Sequence, residues 1–250
     1  MSTRESAKAD FGPLLPRIYP PGSQWARHNS EGMTRISPAP DASITSLGAI
    51  LAGGASRRFG PPKALAMVGG RTIVERVRDA MEAAVMRVAL IAYDAEMAAA
   101  LGVQSRPDIH PGNGPVAGIE TALRWAEEEG RPGALVAACD MPFLDARALR
   151  LLADFARREP SAEAVAVRME DGRKPPLCAW LSVRSLPAAE RVVAGDDRSF
   201  AALLSSVDTA WVPVEDVARI RSPETMFFNV NTPDDLRRAE RIARELDEPA

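Results

Sequence analysis

Two short apolar runs limit what this chain can fold into. They are Leu47–Leu51 and residues 134–139, and polar or glycine residues follow each of them closely. Strands covered by helices on both faces have this composition, and they belong to mostly parallel sheets. The two runs therefore predict central strands of an α/β protein.

Helical and strand patterns alternate along the rest of the chain. The predicted helix starts are, in order, a capping box at Thr72 and Glu75, Pro115, a cap at Asp145, and Thr232 with Pro233. Further strands are predicted at residues 88–93, 164–168, 176–182 and 210–214, with a final one in 227–230. This alternation predicts an α/β/α sandwich around a mostly parallel sheet, with ligands bound beyond the carboxyl ends of the strands.

Composition excludes several classes of protein. The 250 residues carry 31 basic and 34 acidic side chains, and this net charge of −3 argues against a protein that coats nucleic acid. No stretch of 18 apolar residues is present, so no membrane span is expected. Only two cysteines occur, which favours a reducing, cytoplasmic location. Prolines scattered among polar residues predict a disordered extension over residues 1–45, leaving 46–250 as the domain.

A glycine- and cation-rich segment follows the first strand. Gly53 and Gly54 allow a close backbone approach to an anion, and Arg57, Arg58 and Lys63 add positive charge. The pattern is neither a P-loop nor a dinucleotide fingerprint. It predicts phosphate recognition, and the alternative is an ordinary loop with solvated arginines.

Two acidic residues are candidates for the same site. Asp140 ends the second apolar run, where one carboxylate could hold Mg²⁺ together with substrate phosphates, or could cap a turn before Pro142. Asp108 precedes a Gly/Pro-rich loop that enters a helix, so it could face an anion site or serve as a cap. Asn229 and Asn231 could contact a ligand or satisfy a turn, and the turn is slightly favoured.

Two other reactive residue types are given structural roles. His110 is interpreted as a solvated loop histidine, and Cys139 as a packed, inert thiol.

Four motifs in register resemble the molybdenum cofactor guanylyltransferases, a family of nucleotidyltransferases with a Rossmann-like fold. The family loop Leu-Ala-Gly-Gly-x-Ser-x-Arg-Met-Gly, followed by Asp-Lys-Ala-Leu, matches residues 51–54, Ser56, Arg58, Gly60 and 63–65. The family segments Gly-Pro-x-Ala-Gly-(Ile/Leu), Cys-Asp-x-Pro-Phe and Asn-x-Asn-Thr-Pro-x-(Asp/Glu)-Leu match residues 114–119, 139–143 and 229–236. The resemblance covers about residues 47–246.

This resemblance implies an enzyme that moves GMP from GTP to the phosphate of molybdopterin and releases pyrophosphate. The implied nucleotide-binding residues are Leu51, Ala52, Gly53, Gly54, Ser56, Lys63, Asp108 and Asp140. Asp140 would also bind Mg²⁺, and Lys63, Asp140 and Arg58 would carry catalysis. The candidate acceptor-binding residues are Gly114, Asn229 and Asn231. Other proteins of molybdenum cofactor synthesis are candidate partners.

Some positions depart from the family pattern. Phe59 stands where the family has Met, and Pro62 where it has Asp, the latter as in the related cytidylyltransferases. The Gly53-Gly54 pair favours the guanylyl branch. The alternatives are a CTP-dependent molybdopterin cytidylyltransferase, a sugar-phosphate nucleotidyltransferase, or a non-catalytic nucleotide-binding module.

Overall fold

The computed structural model describes residues 45–52, 63–92, 95–170 and 173–247. The predicted extension over residues 1–45 lies outside this part of the chain apart from Thr45, so its disorder stays a prediction. In the described part, none of the helices has the length and apolar character needed to span a bilayer.

A seven-stranded sheet forms the centre of the protein. Its order is β5-β4-β1-β6-β8-β7-β9, and a separate two-stranded hairpin pairs β2 with β3. The strands are β1 (Leu47–Leu51), β2 (Met67–Val68), β3 (Arg71–Thr72), β4 (Arg87–Ile91), β5 (Gln104–Arg106), β6 (Gly133–Ala138), β7 (Ala164–Arg168), β8 (Cys178–Ser182) and β9 (Thr209–Pro213). Only β8 runs antiparallel to its neighbours in this sheet.

Helices cover the two faces of the sheet. They are α1 (Ile73–Glu82), α2 (Ala95–Leu101), α3 (Pro115–Glu128), α4 (Ala146–Arg158), α5 (Leu186–Ala194), α6 (Phe200–Ser205), α7 (Val214–Ala218), α8 (Pro223–Met226) and α9 (Pro233–Asp247). One core joins α1, α2 and α4 to the sheet, and a second joins α3, α5 and α6 to its other face. The predicted α/β/α sandwich is confirmed.

The predicted helix starts are confirmed by their caps. Thr72 and Glu75 form a complete capping box at the start of α1, since each side chain accepts from the other residue's backbone N–H. Asp145 accepts from the backbone N–H of Arg147 at the start of α4. Pro115 and Pro233 are the first residues of α3 and α9.

The predicted final strand at residues 227–230 is wrong. These residues join no strand of the sheet, and Val230 and Phe228 instead pack with Val68, Ile73 and Phe143 in a small separate apolar cluster. The cluster also holds Ala239 and Ala243 of α9, so it ties the carboxyl-terminal helix to the hairpin. The apolar side chains of Phe228 and Val230 are therefore packed in this cluster without strand pairing.

Candidate active site

The carboxyl ends of β1 and β6 lie side by side. The backbone N–H of Cys139 donates to the carbonyl of Leu51 at 3.1 Å, and the N–H of Ala52 donates to the carbonyl of Ile91 at 2.9 Å. Leu51 is buried, and Ala52 is the last described residue before the glycine-rich segment. Asp140 therefore follows directly on the residue that is hydrogen-bonded to the end of β1.

Lys63 brings two distant parts of the chain together. Its Nζ donates to Asp140 Oδ2 at 2.7 Å and to Asn231 Oδ1 at 2.9 Å. The Lys63 and Asp140 side chains are 21% and 16% exposed, so solvent reaches both of them. An ammonium, a carboxylate and an amide thus converge at the end of a central strand.

The position of Asn231 is fixed from both sides. The preceding residue, Val230, is fully buried, and its N–H donates to the carbonyl of Asp140 at 2.9 Å. The N–H groups of Asn231 and Thr232 donate to Asp235 Oδ2 in the first turn of α9. Asn229 lies exposed on the same segment. The sequence slightly favoured a turn role for the asparagines, and for Asn231 the structure adds a side-chain contact with Lys63.

Asp108 also lies at the carboxyl-end side of the sheet, because it follows β5, the outermost strand, which runs parallel to β4. It is 7% exposed, and its Oδ1 accepts from the backbone N–H of His110 at 2.9 Å. Asp108 does not cap α3, because the N-cap of that helix is Gly114. The imidazole of His110 is 46% exposed, in agreement with its interpretation as a loop residue.

Gly114 occupies a backbone conformation that only glycine adopts readily. Its φ of 81° and ψ of −178° fall in a region closed to other residues. A Cβ there would also lie 3.0 Å from the carbonyl oxygen of Arg198. The guanidinium of Arg198 donates to Asn113 Oδ1 at 2.7 Å. Arg198 is therefore a cation beside the start of α3. The sequence did not predict it, because no motif marks it.

Four of the predicted site residues belong to the glycine-rich segment. Gly53, Gly54, Ser56 and Arg58 lie outside the described residues. The structure does place Ala52 and Lys63, on either side of them, at the carboxyl ends of the central strands.

The donor set suits a magnesium ion held by few protein ligands. Asp140 Oδ1 is buried and has no hydrogen-bond partner among the described residues. No group of three or more His, Cys, Asp or Glu side chains that could hold a metal is found in the described ranges. Mg²⁺ is commonly held by one or two carboxylates together with substrate phosphates. Asp140 fits that mode of binding.

The thiol of Cys139, the residue before Asp140, is not a reactive group. Burial, assisted by the negative charge of Asp140, raises the pKa of the Cys139 thiol to about 12. The interpretation of Cys139 as a packed, inert thiol is confirmed by its 8% exposure.

A cavity of about 390 Å³ lies at the opposite edge of the sheet. Trp180, Ala153 and Ala156 contribute to its walls, and Arg157 and Arg184 also line it. The Arg184 guanidinium is taken up by backbone carbonyls of residues 160–162. Lys63 and Asp140 lie at the other end of the strands, at the carboxyl ends where ligands of such folds bind.

A mostly parallel sheet with a lysine and an aspartate at the carboxyl ends of its central strands is compatible with a nucleotidyltransferase, and the match to a family of such enzymes establishes that class. Residues 48–211 match the MobA-like NTP transferase domain, and the chain belongs to that family.

Named relatives cover most of the chain. A molybdenum cofactor guanylyltransferase of Rhizobium meliloti is 34% identical in an alignment 212 residues long that covers 82% of this chain and 95% of the relative. A protein of Pelotomaculum thermopropionicum, described as a probable molybdenum cofactor guanylyltransferase, is 32% identical over 80% of this chain and 94% of its own length. The molybdopterin-guanine dinucleotide biosynthesis protein A of Archaeoglobus fulgidus superposes with a TM-score of 0.66 at 29% identity, over 80% of this chain and 99% of that one.

Proposed function

We propose that this protein transfers GMP from GTP to the terminal phosphate of molybdopterin and releases pyrophosphate. The observation that carries the proposal is the contact of Lys63 with Asp140 and Asn231 at the ligand-binding edge of a nucleotidyltransferase sheet. The family membership and the guanylyltransferase names of the relatives support the choice of GTP and molybdopterin.

The reaction exchanges one phosphoanhydride bond for another. An acceptor phosphate oxygen attacks the α-phosphorus of GTP, a new P–O–P linkage forms, and the bond to the β-phosphate breaks with its electron pair leaving on pyrophosphate. The attacking oxygen is already ionised at neutral pH, so no strong general base is required. Catalysis then depends on positioning and on neutralising the charge of the triphosphate.

The residues around Lys63 would divide these tasks. The backbone of Leu51, Ala52 and Gly53 would contact GTP, and Lys63 would turn from Asp140 towards the phosphates. Asp108, at the end of β5, would contact the nucleotide. An ammonium has three N–H donors, and in this structure Asp140 and Asn231 accept from Lys63, which leaves one donor with no acceptor among the described side chains.

The remaining loop residues would complete the phosphate site. Gly54, Ser56 and Arg58 would line the triphosphate from the glycine-rich segment, with Arg58 adding charge beside Lys63.

Asp140 would hold Mg²⁺ through its buried, unpartnered Oδ1. When bound, the ion supplies positive charge to the triphosphate as pyrophosphate departs. Gly114, Asn229 and Asn231 would border the acceptor, and the protein would act in the cytoplasm, alongside other proteins of molybdenum cofactor synthesis.

The experiment that tests this function is incubation with Mg²⁺, molybdopterin and each NTP in turn, followed by mass analysis of the product. We expect the GMP adduct with GTP and no adduct with the other nucleotides. A CMP adduct would establish the cytidylyl alternative, which Pro62 favours. Nucleotide binding without pyrophosphate release in any mixture would establish a non-catalytic module instead.

A further inference from the structure

A buried carboxylate on α3 has no role in the reaction described above. Glu120 is 1% exposed, and its Oε1 accepts from Arg124 Nε at 3.0 Å. Its Oε2 has no hydrogen-bond partner among the described residues. A carboxylate oxygen left unpaired at this depth is destabilising, so its retention calls for a physical reason.

The group that faces Oε2 belongs to the segment carrying Asp108. His110 Nε2 lies 3.7 Å from Glu120 Oε2, just beyond hydrogen-bond distance. On the other side of the carboxylate, Arg124 also pairs with Glu190 of α5 at 2.7 Å. A shift of the imidazole by less than about 1 Å would give Oε2 a donor.

The next residue of α3 holds the same segment. Thr121 Oγ1 accepts from the backbone N–H of Ile109 at 3.1 Å and donates to the carbonyl of Ala117 at 3.0 Å. Two consecutive side chains of α3 therefore face the two residues that follow Asp108. Asp108 Oδ1 accepts from the backbone N–H of His110, so the segment that Glu120 and Thr121 face is also hydrogen-bonded to the Asp108 carboxylate.

We propose that Glu120 is a positioning residue for the nucleotide site. Its carboxylate holds His110, and Thr121 holds Ile109, so that Asp108 stays where it contacts the nucleotide. The proposal rests on the proposed function, because it requires Asp108 to contact GTP.

The test compares the dissociation constant for GTP and the turnover number of four variants of the full chain. We expect Glu120→Leu and His110→Ala each to raise the Kd by about 3- to 10-fold, with kcat changed by less than about twofold. Glu120→Gln should bind GTP like the wild type, because the glutamine side chain has the same size and its oxygen can still accept from Arg124. Glu190→Gln is the matched control, since it perturbs Arg124 without facing the segment, and its Kd should not change.

The double variant Glu120→Leu/His110→Ala separates positioning from general destabilisation. If the two groups act as one unit, the second substitution adds nothing to the Kd. Additive effects, or an unchanged Kd in both single variants, would overturn the proposal. Glu120→Leu leaves no buried cation unpaired, because Arg124 is 42% exposed and still pairs with Glu190. His110→Ala, at a half-exposed position, keeps the test decisive should Glu120→Leu fail to fold.

Asp108→Ala distinguishes failure of this inference from failure of the site itself. We expect it to raise the Kd for GTP by about 10-fold or more. If it does so while His110→Ala and Glu120→Leu have no effect, only the positioning role is wrong. If Asp108→Ala also has no effect, the nucleotide role of Asp108 is wrong as well, and both assignments fall.

Discussion

Lys63 joins a carboxylate and an amide at the proposed site. Its Nζ lies 2.7 Å from Asp140 Oδ2 and 2.9 Å from Asn231 Oδ1. A compact ammonium on a flexible stem can exchange acceptors without a fixed plane, unlike a guanidinium. A triphosphate offers more negative charge than one carboxylate, so we expect Lys63 to leave Asp140 for the phosphates when GTP binds.

Replacement of Lys63 by alanine should therefore weaken nucleotide binding before it affects folding. We expect Lys63→Ala to raise the Kd for GTP by about 10- to 100-fold, the worth of a hydrogen bond to a charged group. Calorimetric titration with GTP and Mg²⁺ measures it. Arg237→Ala is the control, since Arg237 is an exposed cation of α9 that pairs with Asp234. Unchanged affinity in Lys63→Ala would contradict its assignment.

Sequence alone predicted some of these residues and not others. Lys63 and Asp140 follow strand-end motifs that are local in the chain, so their chemistry could be inferred. The contact of Lys63 with Asn231 spans 168 positions, and no local pattern shows which distant side chains a fold brings together. The burial of Glu120 was missed for a different reason. A charged residue within a helical pattern predicts a solvated face of the helix.

At the scale of elements, capping residues determine where helices begin. The Asp145 carboxylate accepts from the N–H of Arg147 and pairs with its guanidinium at 2.8 Å. Burial alone would raise the pKa of Asp145, but the hydrogen bonds from Arg147, together with the positive charges of Arg147 and Arg221, outweigh burial and hold this pKa below its ordinary value of 3.8. Stability from the ionised carboxylate is then present above that value and is lost as the pH falls through the lower, folded-state pKa.

We expect Asp145→Ala to lower the free energy of unfolding by about 1 kcal/mol or more at neutral pH. The difference from the wild type should shrink as the pH falls below about 4, when the carboxyl is protonated. Urea unfolding across this pH range measures both. Asp154→Ala, which removes a carboxylate paired with Arg157 on the same helix, should stay within about 0.5 kcal/mol of the wild type. A loss that is the same at every pH would show that the charge of Asp145 is irrelevant.

Elements with strong local signals were predictable, and those defined by pairing were not. β1 and β6 are buried apolar runs, and α1, α3, α4 and α9 have capping residues or prolines at their starts. The hairpin of β2 and β3 has two residues in each strand, too few for any periodicity. Residues 227–230 have a strand-like composition, yet they are buried in a side cluster rather than paired.

At the scale of the molecule, the sheet order brings the site residues together at the carboxyl ends of the parallel strands. β1 and β6 are neighbours, and β5, which leads to Asp108, lies at the edge beyond β4. The sequence predicted a mostly parallel sheet because its alternation of strands and helices requires crossovers. It could not predict that β8 runs antiparallel, since an apolar run looks the same in either direction.

The first described residues, Thr45 and Ser46, are hydrogen-bonded to the folded domain. Arg131 donates to the carbonyl of Thr45, and Trp180 Nε1 donates to Ser46 Oγ at 2.8 Å within the protein. We expect a chain that lacks residues 1–44 to keep its unfolding temperature within about 2 °C and to retain its transfer activity.

Ser46→Ala is the contrasting variant for this deletion. It leaves the buried indole N–H of Trp180 without an acceptor, which should cost about 1–3 kcal/mol of stability. Calorimetry of both variants makes the comparison. A deletion as destabilising as Ser46→Ala would mean that residues 1–44 belong to the folded core.

The central claim is that Asp140 and Lys63 form one centre for transfer of a nucleotidyl group. Its most direct test is pyrophosphate release from GTP, with Mg²⁺ and molybdopterin, by the wild type and by Asp140→Ala, with Asp154→Ala as the control and thermal unfolding as the check on folding. We predict that Asp140→Ala folds normally and releases pyrophosphate at least about 100-fold more slowly than the wild type and the control. Wild-type release by a folded Asp140→Ala variant would contradict the account.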